Sequence, residues 1–257
     1  ENFLDLLENF ILFDHSDGHT VKILARNHQY LGVNEAVKAY ESRKLNDGKL
    51  GVFWHTQGSG KSYSMVFLAQ KIRRKYAGSP TIVILTDREE LNTQISDTFE
   101  NCGLLGKVEA SQFIASSGDD LMQKLKGNPS FIFTLIQKFN QPNLEPIYPD
   151  HDIIIMSDEA HRSQYGIFAD NMVNLLPTAS RIGFTGTPLL SNDNITERTF
   201  GGYISVYDFK RAVEDGATVP LYYENRGDKI ADLENPDITD RILDAIEKAE
   251  LDIDQQE

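Results

Sequence analysis

Five short apolar runs, rich in β-branched and aromatic residues, most constrain how this chain of 257 residues can fold. They are LGVFW (50–54), TIVIL (81–85), FIFTLI (131–136), DIIIM (152–156) and RIGFT (181–185). A run that is apolar on both faces suits a strand covered on both sides, as in parallel sheets, and the intervening stretches supply the crossover helices. The pattern predicts an α/β fold: a mostly parallel sheet with helices on both faces.

The segments that flank this region have a different pattern. Residues 1–13 place apolar side chains at helical spacing and predict an amphipathic helix, and residues 20–41 predict a second helical region. We therefore predict a helical linker at 1–24, the α/β domain at 25–200, and a connecting segment with an acidic helical end at 201–257. Because the sequence lacks an initiator Met, we expect it to be part of a longer protein.

Charge and composition limit the classes of function. The net charge of −14 argues against a nucleic-acid partner, but residues 231–257 alone carry −8, so a basic groove elsewhere remains possible. The single cysteine, Cys102, cannot form an internal disulfide, which favours a reducing compartment. The apolar runs are far shorter than the roughly 20 residues that span a bilayer. We predict a cytoplasmic protein.

The stretch HTQGSGKS (55–62) follows the first apolar run and nearly spells a phosphate-binding loop, with His55 where the usual pattern has Gly. Glycines at 58 and 60 allow successive backbone N–H groups to face a phosphate at a helix N-terminus. Lys61 would then reach the β- and γ-phosphates, and Ser62 would bind Mg²⁺. Taken alone, the stretch has an alternative interpretation as an ordinary helix-capping turn.

A second acidic element supports the phosphate-site interpretation. Asp158 and Glu159 follow the fourth apolar run and Ser157, at the carboxyl end of the predicted strand, where α/β sheets place their ligands. In such a site Asp158 holds Mg²⁺, and Glu159 positions and deprotonates the attacking water. Two adjacent acids normally indicate a solvated loop, but the preceding buried strand and the upstream loop favour an ATPase site.

The third element is the turn Thr185-Gly186-Thr187-Pro188, in which the fifth run ends. Taken alone, it is only a turn. The order GSGKS, DEAH, TGTP resembles that of superfamily two helicases and translocases, whose first motif commonly lacks the first Gly. The resemblance implies that His161 couples the ATP site to the turn of Thr185, Gly186 and Thr187 and relays the state of the γ-phosphate to the face that holds DNA. Without that resemblance, His161 could equally be an ordinary polar residue at a strand end.

A narrower resemblance covers about residues 1–226. The chain resembles the restriction (R) subunit of type I restriction-modification enzymes in phrases that occur in the expected order. These are ILARNHQ, GVFWHTQGSGKS, ILTDREELNTQ, FTLIQKF, DEAHRSQYG, GFTGTPL and YDFKRAVEDGATVPLYYE. The resemblance identifies the α/β region as the first RecA-like motor domain of such a subunit.

The resemblance also implies roles for individual residues. Arg26 and Gln29 match the adenine-reading element, since an amide can pair with N6 and N7 of adenine; a surface polar residue remains the alternative for Gln29. The loop residues expected to bind ATP are Gln57, Gly58, Ser59, Gly60, Lys61 and Ser62. Those expected to contact the DNA backbone are Thr86, Asp87, Arg88, Thr134, Gln137 and Lys138.

The implied function is ATP-driven translocation of double-stranded DNA, with ATP and Mg²⁺ as cofactors and the modification and specificity subunits as partners. The intact complex would then cleave the DNA. The possible nuclease fragments, Pro149-Asp150 and Asp208-Phe209-Lys210, are far apart in sequence, so we predict no nuclease site here. No second motor motif follows residue 226, so the isolated chain is expected to hydrolyse ATP weakly. The alternatives are another superfamily two DNA or RNA helicase, or a nucleotide-dependent interaction module.

Overall fold

The computed structural model describes residues 2–140, 145–160, 165–188 and 194–219. The strands are β1 (Ile11–Asp14), β2 (Val21–Leu24), β3 (Lys49–His55), β4 (Thr81–Thr86), β5 (Phe131–Leu135), β6 (Ile153–Asp158), β7 (Ser180–Thr185) and β8 (Tyr203–Tyr207). The helices are α1 (Asn2–Asn9), α2 (Asn27–Glu41), α3 (Lys61–Lys75), α4 (Glu89–Asn101), α5 (Gly118–Lys126), α6 (Tyr165–Leu175), α7 (Asn194–Phe200) and α8 (Phe209–Glu214).

Strands β3 to β8 form one sheet in the order β5-β4-β6-β7-β3-β8, with parallel pairing throughout. The five predicted apolar runs correspond to five of these strands, so the α/β prediction is confirmed. Consecutive residues of a strand face opposite sides, and strands β3 to β7 are buried on both. In β4, Ile82 and Ile84 pack with α2, α3 and α4, whereas Val83 and Leu85 pack with α5 and α6.

The N-terminal segment differs from the predicted helical linker at 1–24. Only α1 is helical; β1 and β2 then pair as an antiparallel hairpin, with Ile11 opposite Leu24. The prediction of a helix from residue 20 was also wrong at its start, because Val21–Leu24 form strand β2 and α2 begins only at Asn27. The segment packs on α3, where Lys71 Nζ donates to Asp5 Oδ1 at 2.5 Å and Tyr63 Oη donates to Asp14 Oδ2 at 2.6 Å.

The sheet extends past the domain boundary predicted at residue 200. Strand β8 pairs with β3, with Phe53 opposite Ser205, and residues Glu1–Val219 form one compact unit. The β-rich sequence YISVY explains the extra strand. The helix predicted at about 239–251 and its acidic surroundings lie outside the described residues. Among the described helices, none has the length and apolar character needed to cross a membrane.

Candidate nucleotide-binding site

The three sequence motifs meet at the carboxyl edge of the sheet. The phosphate-loop candidate follows β3, Asp158 ends β6 with Glu159 after it, and Thr185 ends β7. Since β6, β7 and β3 are adjacent and parallel, their carboxyl ends open on the same side. Parallel α/β sheets bind their ligands at this edge.

The loop between β3 and α3 has the backbone conformation of a phosphate-binding turn. Gly58 and Gly60 have φ angles of 80° and 85°, in the region that favours glycine, and Gly60 caps the N-terminus of α3. A Cβ on Gly58 would meet no atom within 4 Å, so conformation rather than crowding requires glycine there. Gln57 and Gly58 are exposed, and Ser59 is buried. The loop therefore presents open backbone at a helix N-terminus, where a phosphate binds readily.

Lys61 connects the loop to the third motif. Its Nζ donates to His55 O at 3.3 Å, and a Cβ placed on Gly186 would lie 3.3 Å from that Nζ. The turn after β7 is closed by Thr185, whose Oγ1 donates to Thr187 O and accepts from Thr187 N, each at 3.1 Å. The ammonium group of the first motif thus lies against the backbone of the third.

The second motif brings a buried carboxylate to the same place. Asp158 is 8% exposed, and burial together with the Glu159 carboxylate raises its pKa to about 6, while the Lys61 charge opposes this rise. Glu159 has a φ of 50°, a conformation that costs a residue with a side chain about 1–3 kcal/mol and that clusters at functional sites. The next residue is tied to β7, because Ala160 N donates to Phe184 O at 3.1 Å.

The chemistry of these side chains fits a magnesium ion shared with phosphates. Mg²⁺ typically keeps several waters and binds one or two carboxylates plus phosphate oxygens. Asp158 and the partly exposed Ser62 match that requirement. The described residues contain no cluster of three or more His, Cys, Asp or Glu side chains that could hold a metal ion without ligands from water or phosphate. His161, expected to couple the motifs, lies outside the described residues.

Gln29 contacts the loop itself. This side chain is 4% exposed; its Oε1 accepts from Arg26 N at 2.8 Å and its Nε2 donates to Gly60 O at 2.9 Å. The exposed residue Arg26 is the N-cap of α2. Both ends of the Gln29 amide are therefore engaged within the chain. The adenine-reading role of Arg26 and Gln29 stays a prediction.

Sequence reasoning missed a group of rings beneath the loop. His55 is fully buried, with Nε2 2.7 Å from Ser205 Oγ, and burial lowers its pKa to about 3. His28 stacks on Tyr207 with centroids 3.7 Å apart and a 13° interplanar angle, and its ring lies edge-on to His55 at 5.2 Å. His28 adjoins the predicted Gln29, and Tyr207 opens the quoted phrase YDFKRAV, but only the unpredicted strand β8 brings them together.

The residues expected to contact DNA lie at the ends of β4 and β5. Thr86 and Thr134 are fully buried. Gln137 Nε2 donates to Asp87 O at 2.9 Å, and Lys138 Nζ donates to Ala115 O. Among the six predicted residues, Arg88 is the only one with an exposed side chain.

Comparisons with known proteins agree with this geometry. The family model described as SWI2/SNF2 ATPase matches residues 28–257. The HindI endonuclease subunit of a type I restriction enzyme from Haemophilus influenzae is 43% identical over 88% of this chain and 23% of its own length. A putative type I restriction enzyme endonuclease subunit, MjaIXP, from Methanocaldococcus jannaschii is 36% identical over 97% of this chain and 25% of its own length. The chain thus spans about a quarter of these relatives.

Solved structures show the same fold. The ATP-dependent Type ISP restriction-modification enzyme LlaBIII bound to DNA superposes with a TM-score of 0.56 at 17% identity, covering 80% of this chain and 17% of that one. A fragment of a putative HsdR subunit of a type I restriction enzyme from Vibrio vulnificus YJ016 superposes with a TM-score of 0.50 at 21% identity, covering 84% of this chain and 34% of that one.

Proposed function

Because the chain belongs to the SWI2/SNF2 ATPase family, we propose that it is the first RecA-like motor domain of a type I restriction endonuclease subunit. It binds ATP with Mg²⁺ and couples hydrolysis to the movement of double-stranded DNA. The similarity to HindI and MjaIXP supports the restriction-enzyme setting. Cleavage of the moved DNA, and assembly with modification and specificity subunits in the cytoplasm, belong to the intact complex in this proposal.

The observation that carries the proposal is the meeting of Lys61, Asp158 and Gly186 at one edge of the sheet. Lys61 lies against the turn that contains Gly186, and its charge acts on the Asp158 carboxylate. Three motifs spread over about 125 residues of sequence, from Lys61 to Gly186, thus come close together at this edge. Such convergence is the expected arrangement for phosphoryl transfer, in which positioning and electrostatics do nearly all the work.

Each residue then has a defined task. The backbone N–H groups of 58–62 and the Lys61 ammonium bind the phosphates, and Ser62 and Asp158 hold Mg²⁺. When bound, Mg²⁺ neutralises charge that develops on the phosphate oxygens. Glu159 orients the attacking water and accepts its proton. The turn from Thr185 to Thr187 lies beside the phosphate-binding lysine at Gly186, and in this proposal it responds to loss of the γ-phosphate.

A Lys61→Ala variant tests the site. We expect affinity for Mg²⁺·ATP to fall by about 100-fold or more, because a desolvated charge contact to the phosphates is lost. Binding of a fluorescent ATP analogue to the full chain measures this, with Lys44→Ala, an exposed lysine remote from the edge, as the matched control. Unchanged affinity in the Lys61 variant would remove the assignment.

The polynucleotide that stimulates hydrolysis tests the motor role. In a full-length subunit carrying this chain, double-stranded DNA is expected to raise the ATPase rate. Stimulation by single-stranded RNA instead would favour a general superfamily two helicase. An ATPase rate that no nucleic acid changes would favour a nucleotide-dependent interaction module.

A further inference from the structure

Two side chains at the start of α2 form hydrogen bonds with two successive carbonyl groups of the phosphate-binding loop. His28 Nε2 lies 3.0 Å from Ser59 O, and Gln29 Nε2 donates to Gly60 O at 2.9 Å. Because a carbonyl oxygen only accepts, the Nε2 atom of His28 must carry the proton in this contact. Two adjacent side chains of one helix therefore donate to two adjacent peptide groups of another segment.

These contacts fix the direction of the loop N–H groups. In a planar trans peptide the C=O of one residue points opposite to the N–H of the next. Holding the Ser59 carbonyl toward His28 therefore turns the Gly60 N–H the other way, and holding the Gly60 carbonyl does the same for the Lys61 N–H. Both N–H groups belong to the loop expected to surround the phosphates.

The two contacts differ in how much the loop depends on them. Gly60 O also accepts from Ser64 N at 3.1 Å, as the first carbonyl of α3, so the helix already helps to orient it. Ser59 precedes the cap and lies outside that hydrogen-bond ladder. The contact from His28 is thus the one that regular helix geometry does not supply.

The ring of His28 is itself held in place. It stacks on Tyr207, whose carbonyl accepts from Thr56 N at 2.9 Å and whose hydroxyl donates to Asp215 Oδ2 at 2.9 Å. Thr56 is the first residue of the loop, so Tyr207 of β8 anchors both the loop and the imidazole that orients it. Burial lowers the pKa of His28, which favours the neutral ring.

We propose that His28 is a positioning residue for the phosphate-binding loop: its Nε2–H holds the Ser59 carbonyl outward so that the Gly60 N–H points at a bound phosphate. The proposal rests on the nucleotide-binding function proposed above. It predicts that loss of the Nε2–H donor lowers the affinity for phosphate, and that loss of the aromatic ring alone does not.

Two substitutions separate donor from ring. His28→Phe keeps an aromatic ring for Tyr207 but loses the N–H, whereas His28→Gln keeps an amide donor near the Nε2 position and loses the stack. We expect H28F to weaken binding of Mg²⁺·ATP and of Mg²⁺·tripolyphosphate alike by roughly 3- to 10-fold, the worth of one hydrogen bond. H28Q is expected to stay within about twofold of wild type, as is the control Asn27→Ala, an exposed neighbour on α2.

The affinities are measured on the full chain by calorimetry or by displacement of a fluorescent nucleotide, after thermal unfolding shows that each variant folds. If H28F does not fold, His28→Leu takes its place, with the same expectation. Three results would each overturn the role of His28. They are equal losses of affinity in H28F and H28Q, no loss of affinity in H28F, and a loss of affinity for ATP without one for tripolyphosphate. Failure of the wild-type chain to bind either ligand would instead overturn the proposed function on which it rests.

Discussion

The carboxyl edge of the sheet has two halves that use their polar side chains differently. At β6, β7 and β3, polar groups meet around an open loop: Lys61 lies beside Gly186, and its charge acts on Asp158. At β4 and β5, the residues expected to touch DNA mostly face inward. Thr86 and Thr134 are fully buried, and Gln137 donates to a backbone carbonyl of its own domain.

The difference shows what each kind of site requires. A phosphate is bound by a strand, a glycine-rich turn and a helix N-terminus, all contained in one segment. A DNA backbone is bound by charge spread over a surface. Among the six residues predicted to contact DNA, Arg88 is the one exposed cation, and the Thr86 hydroxyl and the Gln137 amide bond to the backbone of the turn that carries it. The β6–β7–β3 half thus has the compact form of a candidate phosphate site, whereas the β4–β5 half mainly supplies the scaffold for one proposed DNA contact.

The largest expected effect comes from removing the proposed base in the β6–β7–β3 half. Glu159→Gln should lower DNA-stimulated ATP turnover by about 10²- to 10⁴-fold, because the amide cannot accept a proton from water. Affinity for ATP should change little, since Glu159 does not bind the phosphates in the proposed site. Steady-state hydrolysis and nucleotide binding by a full-length subunit measure the two quantities.

The exposed residue Glu197 provides the matched control. Glu197→Gln removes the same charge from α7 and should leave turnover near that of wild type. If Glu159→Gln hydrolyses ATP normally, the base is another residue, and the left-handed backbone at Glu159 needs a different explanation.

The next effect concerns the free energy of unfolding, because the β6–β7–β3 half carries a buried charge. The pKa of Asp158 rises from 3.8 to about 6, chiefly through burial and then through Glu159. That difference corresponds to about 3 kcal/mol at 1.36 kcal/mol per pH unit. Asp158→Asn should therefore stabilise the chain by up to about this amount in EDTA above pH 6, while it weakens Mg²⁺-dependent nucleotide binding.

The sign of the pH dependence follows from linkage. Above about pH 6 the carboxylate is ionised in both states, and the folded state bears the full cost of burying it. As the pH falls toward 4 the folded state takes up a proton first, so the advantage of Asn shrinks, and below the unfolded pKa it disappears. Urea unfolding at several pH values tests this, with the exposed residue Asp97→Asn as control; an advantage independent of pH would contradict it.

The sequence predicted the parts of the fold that local patterns encode. Buried strands such as Ile153–Asp158 are apolar on both faces and were found by that pattern alone. The hairpin at 11–24 was missed because helical spacing in the first residues was extended too far along the chain. Strand β8 was missed because its residues are only partly buried and its edge position depends on pairing with β3.

The candidate site likewise has parts that local sequence patterns encode and parts that they do not. The loop at Gly58, Gly60 and Lys61 and the acids after β6 follow from strand, turn and helix signals close together in sequence. The contacts of His28 with Tyr207 and of Gln29 with Gly60 O join residues 31 or more positions apart. No local pattern encodes them, so only the assembled sheet reveals how the loop is held.

The smallest expected effect tests the β4–β5 half directly, by comparing an exposed cation with a buried hydroxyl. The Arg88 side chain is 60% exposed and only loosely paired with Asp87, at 3.8 Å. A phosphate contact by Arg88 would release about one counterion, so Arg88→Ala should reduce the magnitude of the slope of log K against log salt by about 1. Affinity for double-stranded DNA should fall less than about tenfold near physiological salt.

Thr134→Val should leave that slope unchanged, because the Thr134 hydroxyl is buried and its Oγ1 donates only a long bond, 3.5 Å, to Leu135 O. Arg198→Ala is the matched control for Arg88, since Arg198 is equally exposed, lies on α7 and pairs with Asp170 at 2.5 Å. Fluorescence anisotropy of a DNA duplex with a full-length subunit, at several salt concentrations, gives all three slopes. A reduced slope in the Thr134 variant would mean that β5 opens to bring its buried groups to the DNA. A reduced slope in the Arg88 variant alone would mean that DNA binding in this half depends on charge carried by an otherwise structural turn.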